Sequence, residues 1–137
     1  MRYFLGEGAY EPIRGHYDDA GMDLRTPNDV VIRAHGSCLI DTGVHVEIPV
    51  GYFGKLESKS GLHVNNDIVC LGGTIDSGYR GSVVVKLYNL GDKDYKFCAG
   101  DKVVQMVIIP CVLEDWVLSD GLSESERGED GFGSTGR

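Results

Sequence analysis

The sequence predicts an all-β domain. Only four of its residues are Ala, whereas Val and Ile are frequent and come in short groups between Gly, Asp and Asn. Short runs of β-branched residues between turn-forming residues are typical of strands. No stretch keeps a 3.6-residue apolar period between helix caps, so we expect almost no helix beyond a turn near residues 60–63.

The clearest strand lies in residues 42–48. Every second residue from Thr42 to Ile48 suits a buried face, and Pro49 and Gly51 end the run. This alternation indicates a half-buried strand. Further short strands are predicted at residues 30–34, 38–41, 52–58, 68–71, 82–89, 95–98, 103–109 and 112–118. Many short strands favour a sandwich, a jelly roll or a small barrel.

The length of the chain limits its domain organisation. With 137 residues and 14.9 kDa it has room for one core of ordinary size, which excludes a two-domain enzyme. We assign residues 1–120 to the β domain and residues 121–137 to a C-terminal arm. In the arm only Leu122 and Phe132 are large apolar side chains, so we expect it to be flexible in isolation. It is either a frayed terminus or an arm that closes over a ligand.

The net charge of −8 is unevenly distributed. Residues 114–130 hold seven acidic residues against Arg127, a charge of −6, which leaves −2 for the rest of the chain. Such a chain offers no basic face to neutralise the phosphates of DNA or RNA. We therefore exclude a nucleic-acid polymer as the ligand.

The sequence also bears on the compartment. No apolar run comes near the roughly 18 residues that a membrane span needs, and the N-terminal residues lack the features of a secretory signal. We therefore expect a cytoplasmic protein without a membrane partner. The four cysteines are too far apart for a Cys-x-x-Cys metal pair, so we expect reduced packing residues at Cys38, Cys70, Cys98 and Cys111.

One glycine-rich segment near the C-terminus offers anion-binding chemistry. Residues 131–136 read GFGSTG, which matches the letters of a dinucleotide fingerprint, but no helix can follow because only Arg137 remains. Closely spaced Gly residues still let backbone N–H groups approach an anion, and Ser134 and Thr135 add hydroxyl donors. Arg127 adds a planar fork that suits phosphate oxygens.

Four further segments combine turn residues with chemically useful side chains. Residues 73–81 place Asp76 three residues before Tyr79, which fits either a hairpin with a capping Asp or a catalytic turn. Residues 58–61 combine a cation, two hydroxyls and a Gly. Residues 20–24 and 100–106 would each, taken alone, be a turn that enters a strand.

In their order and spacing, these five segments resemble the five motifs of the homotrimeric dUTPase family. The first to fifth motifs are residues 20–24, 58–62, 73–81, 100–106 and 127–136, and the third and fifth are the most specific. The resemblance implies a jelly-roll subunit in a homotrimer, with active sites between subunits and the arm donated by a neighbour. It implies Mg²⁺-dependent hydrolysis of dUTP to dUMP and pyrophosphate by in-line attack of water on the α-phosphate. That reaction limits uracil in DNA and supplies dUMP for dTMP synthesis.

The resemblance also implies a role for each residue that contacts the nucleoside or the water. Asp76 would be the general base that takes a proton from the attacking water. Tyr79 would pack against the deoxyribose and exclude a ribose 2′-hydroxyl. The uracil would be bound by backbone groups of the hairpin, with Phe132 stacking over the ring when the arm closes; the hairpin residues are Leu71, Gly73 and Ile75.

The remaining roles concern the triphosphate. The resemblance implies phosphate contacts from Lys59, Ser60, Gly61, Gln105, Arg127, Gly133, Ser134 and Thr135. Mg²⁺ would be held mainly by the substrate and by waters, with no direct protein ligand and with Asp23 acting through a water. The second motif departs from the family pattern, because Lys59 replaces the usual Arg and Ser58 replaces the usual Pro. Lys keeps the charge but loses the planar fork of Arg.

Two other functions share features with this sequence. The dCTP deaminases resemble the chain in the third motif, but they carry a Glu base in the strand after the hairpin, where this chain has Lys86. Deamination is therefore disfavoured. A nucleotide-dependent regulator that binds a protein partner through the acidic residues 114–126 stays open, and it could coexist with catalysis.

Overall fold

The computed structural model describes residues 1–131 and contains ten strands and one short helix in that range. The elements are β1 (Arg2–Leu5), β2 (Gly21–Arg25), β3 (Val30–Ile32), β4 (Ser37–Glu47), β5 (Tyr52–Glu57), α1 (Ser60–Asn66), β6 (Ile68–Cys70), β7 (Thr74–Ile75), β8 (Ser82–Asn89), β9 (Tyr95–Phe97) and β10 (Lys102–Pro110).

The strands form three antiparallel sheets. Two of them have four strands, in the orders β1-β4-β8-β6 and β2-β10-β5-β7, and the third pairs β3 with β9. Both larger sheets contribute to one apolar core, with Val44 and Val85 from the first and Leu56 and Val104 from the second. The predicted all-β, jelly-roll-like fold is confirmed.

The predicted strands at 38–41 and 42–48 form one long strand, β4. Its pairing with β8 shifts register between Asp41 and His45, at the point where Gly43 has a φ of 66°. A bulge of this kind bends a strand without ending its ladder. The hydroxyl of the buried Thr42 donates to the carbonyl of Val83 at 2.8 Å, which fixes the bend against β8.

The predicted strand at 112–118 is wrong for the single chain. The last backbone hydrogen bond to the β domain comes from the N–H of Cys111, which donates to Gly51 at 2.8 Å. Beyond it the apolar side chains are exposed, and Trp116 is 99% exposed. Strand preference is realised only against a partner strand, and within residues 1–131 this segment has none.

Other local differences are small. The sequence pattern does not predict β1, β2 or β7, and the turn at 60–63 continues as α1 to Asn66. No helix within the described residues 1–131 has the length and apolar character to cross a bilayer. All four cysteines are free, and burial raises the pKa of the Cys38 and Cys70 thiols, which pack against the core. Cys98 is exposed, so for it the packing prediction is wrong.

Candidate active site

The first, second and fourth motifs meet at the carboxylate of Asp23. Asp23 in β2 lies opposite Gln105 in β10, and β10 also pairs with β5, which ends two residues before Lys59. Asp23 Oδ1 accepts a hydrogen bond from Lys59 Nζ at 2.5 Å, and Asp23 Oδ2 accepts one from Lys102 Nζ at 2.8 Å. We call these three residues the Asp23 cluster.

Two opposing effects act on the charge of Asp23, which is only 7% exposed. Burial by itself raises the pKa of a carboxyl group, because it penalises the charged form. The hydrogen bonds from Lys102 and Lys59, together with their charges, outweigh burial and lower the pKa of Asp23 below its ordinary value. The carboxylate is therefore ionised at neutral pH and is held between two cations.

Gln105 joins the same region to the end of β5. Its Nε2 donates to the carbonyl of Ser58 at 3.4 Å. Gly21 makes this approach possible, because a Cβ at that position would lie 2.8 Å from Gln105 Oε1 and 3.2 Å from the carbonyl of Met106. A side chain at Gly21 would push Gln105 out of place.

The structure gives Ser58 a specific role at the position where the family pattern has Pro. Its hydroxyl accepts a hydrogen bond from the N–H of Cys70 at 2.8 Å and so ties the end of β5 to β6. Pro has no side-chain acceptor to replace this bond. Lys59 follows in an extended conformation, and Ser60 and Gly61 form the exposed first turn of α1.

The loop before β7 lies tightly against β5. Gly72 and Gly73 have φ values of 84° and 96°, and the carbonyl of Gly73 accepts a hydrogen bond from the N–H of Leu56 at 2.9 Å. Leu71 is exposed, whereas Ile75 is 8% exposed and packs in the core. Ile75 can therefore offer a ligand only its backbone.

The turn after β7 presents Asp76 and Tyr79 to solvent. The N–H of Tyr79 donates to the carbonyl of Asp76 at 3.1 Å, and the Tyr79 hydroxyl donates to the carbonyl of Ser82 at 2.9 Å. The Tyr79 ring lies against Gly81, where any Cβ would collide with the phenol oxygen. The ring is therefore fixed while one side stays accessible.

A single chain keeps Asp76 and the Asp23 cluster apart. β7 pairs antiparallel with β5, with Ile75 opposite Gly54, so Asp76 lies beside Phe53 near the start of β5. Lys59 lies beyond the other end of β5, six residues further along the chain. At about 3.3 Å per residue of extended chain, the Cα atoms of Phe53 and Lys59 are about 20 Å apart. Asp76 and Lys59 of one chain therefore lie at opposite ends of β5.

In the described part of the arm the recorded hydrogen bonds are local, between residues at most three positions apart. Arg127 Nε donates to the carbonyl of Asp130 at 2.8 Å, and both residues are exposed. The remaining predicted site residues lie outside the described residues: Phe132, Gly133, Ser134 and Thr135.

The comparisons with known proteins decide the family. The dUTPase family model matches residues 9–136, nearly the whole chain. The chain belongs to the dUTPase family. The deoxyuridine 5′-triphosphate nucleotidohydrolase of Clostridium tetani is 42% identical over 135 residues, which cover 97% of this chain and 93% of the relative. The enzyme of the same name from Anaplasma marginale is 41% identical over 140 residues, which cover 99% of this chain and 95% of the relative.

Solved structures of phage dUTPases share the fold. The Staphylococcus bacteriophage 80alpha dUTPase with dUpNHpp has a TM-score of 0.92 and 30% identity, covering 99% of this chain and 98% of the phage chain. A variant of the phage phi11 dUTPase, described with a structural Mg(II) ion, has a TM-score of 0.81 and 28% identity. The match covers 88% of this chain and 96% of the phage chain.

The donor set of this dUTPase suits a cation that arrives with its substrate. Within residues 1–131 no group of three or more His, Cys, Asp or Glu residues could hold a metal ion. Each Asp23 oxygen already accepts a hydrogen bond from one ammonium group. Mg²⁺ takes oxygen ligands and keeps several waters, so substrate phosphates and waters can complete its shell without a protein cage.

Lys102 is the residue of the site that the sequence reasoning missed. A bulge in β10 shifts the pairing with β2 between Lys102 and Val104, and both Val103 and Val104 are buried. Lys102 and Gln105 therefore lie on the same face, toward Asp23. The polar-apolar-apolar-polar order of residues 102–105 breaks strict alternation, and that break is the signal that could have predicted the bulge.

Proposed function

We propose that this dUTPase hydrolyses dUTP to dUMP and pyrophosphate at sites that are shared between the subunits of a homotrimer. The observation that carries the proposal is the pairing of β7 with β5, which places Asp76 near the start of β5 while Lys59 follows its end, about 20 Å away for an extended chain. A site that needs both residues is incomplete in one chain, and a symmetric assembly can bring Asp76 of one subunit to the Asp23 cluster of the next.

Asp76 is proposed as the general base. Its carboxylate is exposed on a turn that a backbone hydrogen bond to Tyr79 closes. It would take a proton from the water that attacks the α-phosphate in line, while the bond to the leaving pyrophosphate breaks. A placed general base of this kind typically contributes about 10²–10⁴-fold to the rate.

The third motif is proposed to select the nucleoside. The Tyr79 ring, fixed through its hydroxyl to Ser82, would cover the deoxyribose and leave no space for a 2′-hydroxyl. Backbone groups of Leu71, Gly73 and Ile75 would bind the uracil edge. Because Gly72 and Gly73 have positive φ values, the loop can turn sharply with its backbone near a ligand.

The phosphates are proposed to lie at the Asp23 cluster. Lys59, Ser60, Gly61 and Gln105 of one subunit would contact them, and the arm would add Arg127, Gly133, Ser134 and Thr135. When bound, Mg²⁺ would neutralise charge on the phosphate oxygens. Asp23 can still accept a hydrogen bond from a water of the hydrated ion through its free lone pairs.

The arm is proposed to come from a neighbouring subunit. We propose a β domain over residues 1–120 and a flexible arm over residues 121–137. The exposed apolar side chains of residues 112–118 precede the arm and need cover that their own chain does not give within the described residues. Ordering about ten arm residues costs about 1–2 kcal/mol each, which stacking of Phe132 and phosphate contacts must offset. Closure should therefore depend on bound triphosphate.

A nucleotide panel tests the activity. Purified protein with MgCl₂ is expected to release pyrophosphate from dUTP far faster than from dTTP, dCTP or UTP. Equal rates across the panel would contradict the proposal. Limiting uracil in DNA and supplying dUMP for dTMP synthesis are proposed as the cellular roles of this reaction, and a cytoplasmic location and a regulatory protein partner stay predictions.

A further inference from the structure

We propose that Lys102 is a positioning residue that makes Lys59 available to the triphosphate. The inference rests on the proposed function, because it concerns the same phosphate-binding region. In the free protein the two lysines share one carboxylate. When substrate binds, Lys59 turns to the phosphate and Lys102 stays with Asp23.

Asp23 shares its carboxylate between two lysines. Lys59 Nζ and Lys102 Nζ contact different oxygens of Asp23, at 2.5 Å and 2.8 Å. Asp23 is buried, whereas the side chains of Lys59 and Lys102 are 25% and 37% exposed. The carboxylate is therefore fully compensated, and one of its two cations is in excess of what charge balance requires.

Loss of every cationic partner of Asp23 would cost free energy. A buried carboxylate that loses its single partner is strongly destabilised, since neither water nor another charge compensates it. With one lysine only, transfer of Lys59 to a phosphate would leave Asp23 without a cation in direct contact. With two lysines, Lys59 can leave while Lys102 keeps the carboxylate paired.

The positions of the two lysines in the fold indicate which one moves to the substrate. Lys102 is part of the ladder of β10, and its bulge aims the side chain at Asp23. Lys59 lies in the connection between β5 and α1, directly before Ser60 and Gly61, the residues proposed to bind phosphate. Lys59 is therefore the cation adjacent to the proposed phosphate-binding residues, and Lys102 is the one whose backbone is held in β10.

The test measures binding of dUpNHpp by calorimetry in buffer with MgCl₂. Lys102→Met is expected to raise the Kd about 10-fold, because Lys59 must then break its bond to an otherwise unpaired Asp23. Lys102→Arg keeps a cation on Asp23 and is expected to stay within about threefold of the wild type. In turnover of dUTP, the Met substitution should raise KM and leave kcat within about threefold.

A double-mutant cycle shows whether Lys102 acts through Lys59. In a Lys59→Met background, the further change Lys102→Met is expected to alter the Kd less than about twofold. A full 10-fold loss in that background would mean that Lys102 contacts the nucleotide by itself and would overturn the proposal. An unchanged Kd for the single Lys102→Met variant would also overturn it.

Three controls distinguish a role of Lys102 in binding from a general charge effect, from a folding defect and from failure of the proposed activity. Lys96→Met removes a lysine from an exposed ion pair, with Asp29 at 2.9 Å, and should leave the Kd unchanged. Circular dichroism and melting report folding, and Lys102→Gln, which keeps a hydrogen-bond donor without charge, replaces the Met variant if that one unfolds. If the wild type binds dUpNHpp without hydrolysing dUTP, the proposed activity fails while the binding cycle still decides the role of Lys102.

Discussion

Three glycines of residues 72–78 allow backbone strain and steric crowding to be separated by single substitutions. Gly73 has a φ of 96°, and a Cβ there would lie 2.7 Å from Leu56 Cβ and 3.0 Å from Leu56 Cγ. Gly72 has a φ of 84° but open space around its Cβ position. Gly78 has neither a positive φ nor a neighbour within 4 Å. Replacing each by Ala adds the same methyl group to three different environments.

The expected losses of unfolding free energy follow from these environments. Gly78→Ala should change it by less than about 0.5 kcal/mol. Gly72→Ala forces a side chain into the left-handed region, which costs about 1–2 kcal/mol. Gly73→Ala adds to the same strain an overpacking cost of about 1–3 kcal/mol, since Leu56 is buried and its Cβ cannot move without β5. The third loss should therefore be about 2–5 kcal/mol.

The assay is urea denaturation followed by circular dichroism. All variants are compared at one protein concentration, because the stability of an oligomer depends on concentration. Equal losses for Gly72→Ala and Gly73→Ala would refute the contact with Leu56. A loss for Gly78→Ala as large as that for Gly72→Ala would refute the argument from φ.

Three further predictions concern the chemistry and the arm. Asp76→Asn should abolish turnover and leave the Kd for dUpNHpp within about threefold, and normal turnover would remove Asp76 from its role as base. Because folding lowers the pKa of Asp23 from 3.8, the group stabilises the fold above that pH, and this contribution is lost as pH falls below it. The stability difference between wild type and Asp23→Asn should therefore shrink between pH 6 and pH 2, and a constant difference would contradict the ion pairs. Removal of residues 127–137 should leave a folded assembly with little activity, and an unfolded product would show that the arm is structural.

Local sequence pattern predicted the strands with clear apolar alternation and missed β1, β2 and β7, although these also pair within the chain. β8 occupies the predicted residues 82–89, because its alternation between buried and exposed positions is regular. β1 was missed because its residues are mostly exposed and carry little alternation. The segment 112–118 has strand composition but no partner strand within the described part of one chain. Composition alone does not say whether a partner strand is present, and for this reason the predicted strand is absent.

The candidate site was predictable as a set of residues and less so as a geometry. The motifs identified Asp23, Lys59 and Gln105, and the structure brings these together. The pairing of Asp23 with two lysines depends on a bulge in β10, which is a property of strand register. The separation of Asp76 from Lys59 depends on the pairing of β7 with β5, which no local pattern encodes.

The most direct test of the shared site is subunit mixing. Asp76→Asn and Lys59→Met variants are each refolded alone and then together in equal amounts, and turnover is measured at low dUTP concentration. If each site takes Asp76 and Lys59 from different subunits, every mixed trimer has one site with both native residues. After random mixing this is about one quarter of all sites, and turnover should rise to about that fraction of the wild type. If both residues belong to one chain, mixing creates no native site. Turnover that stays at the level of the separate variants would contradict the account.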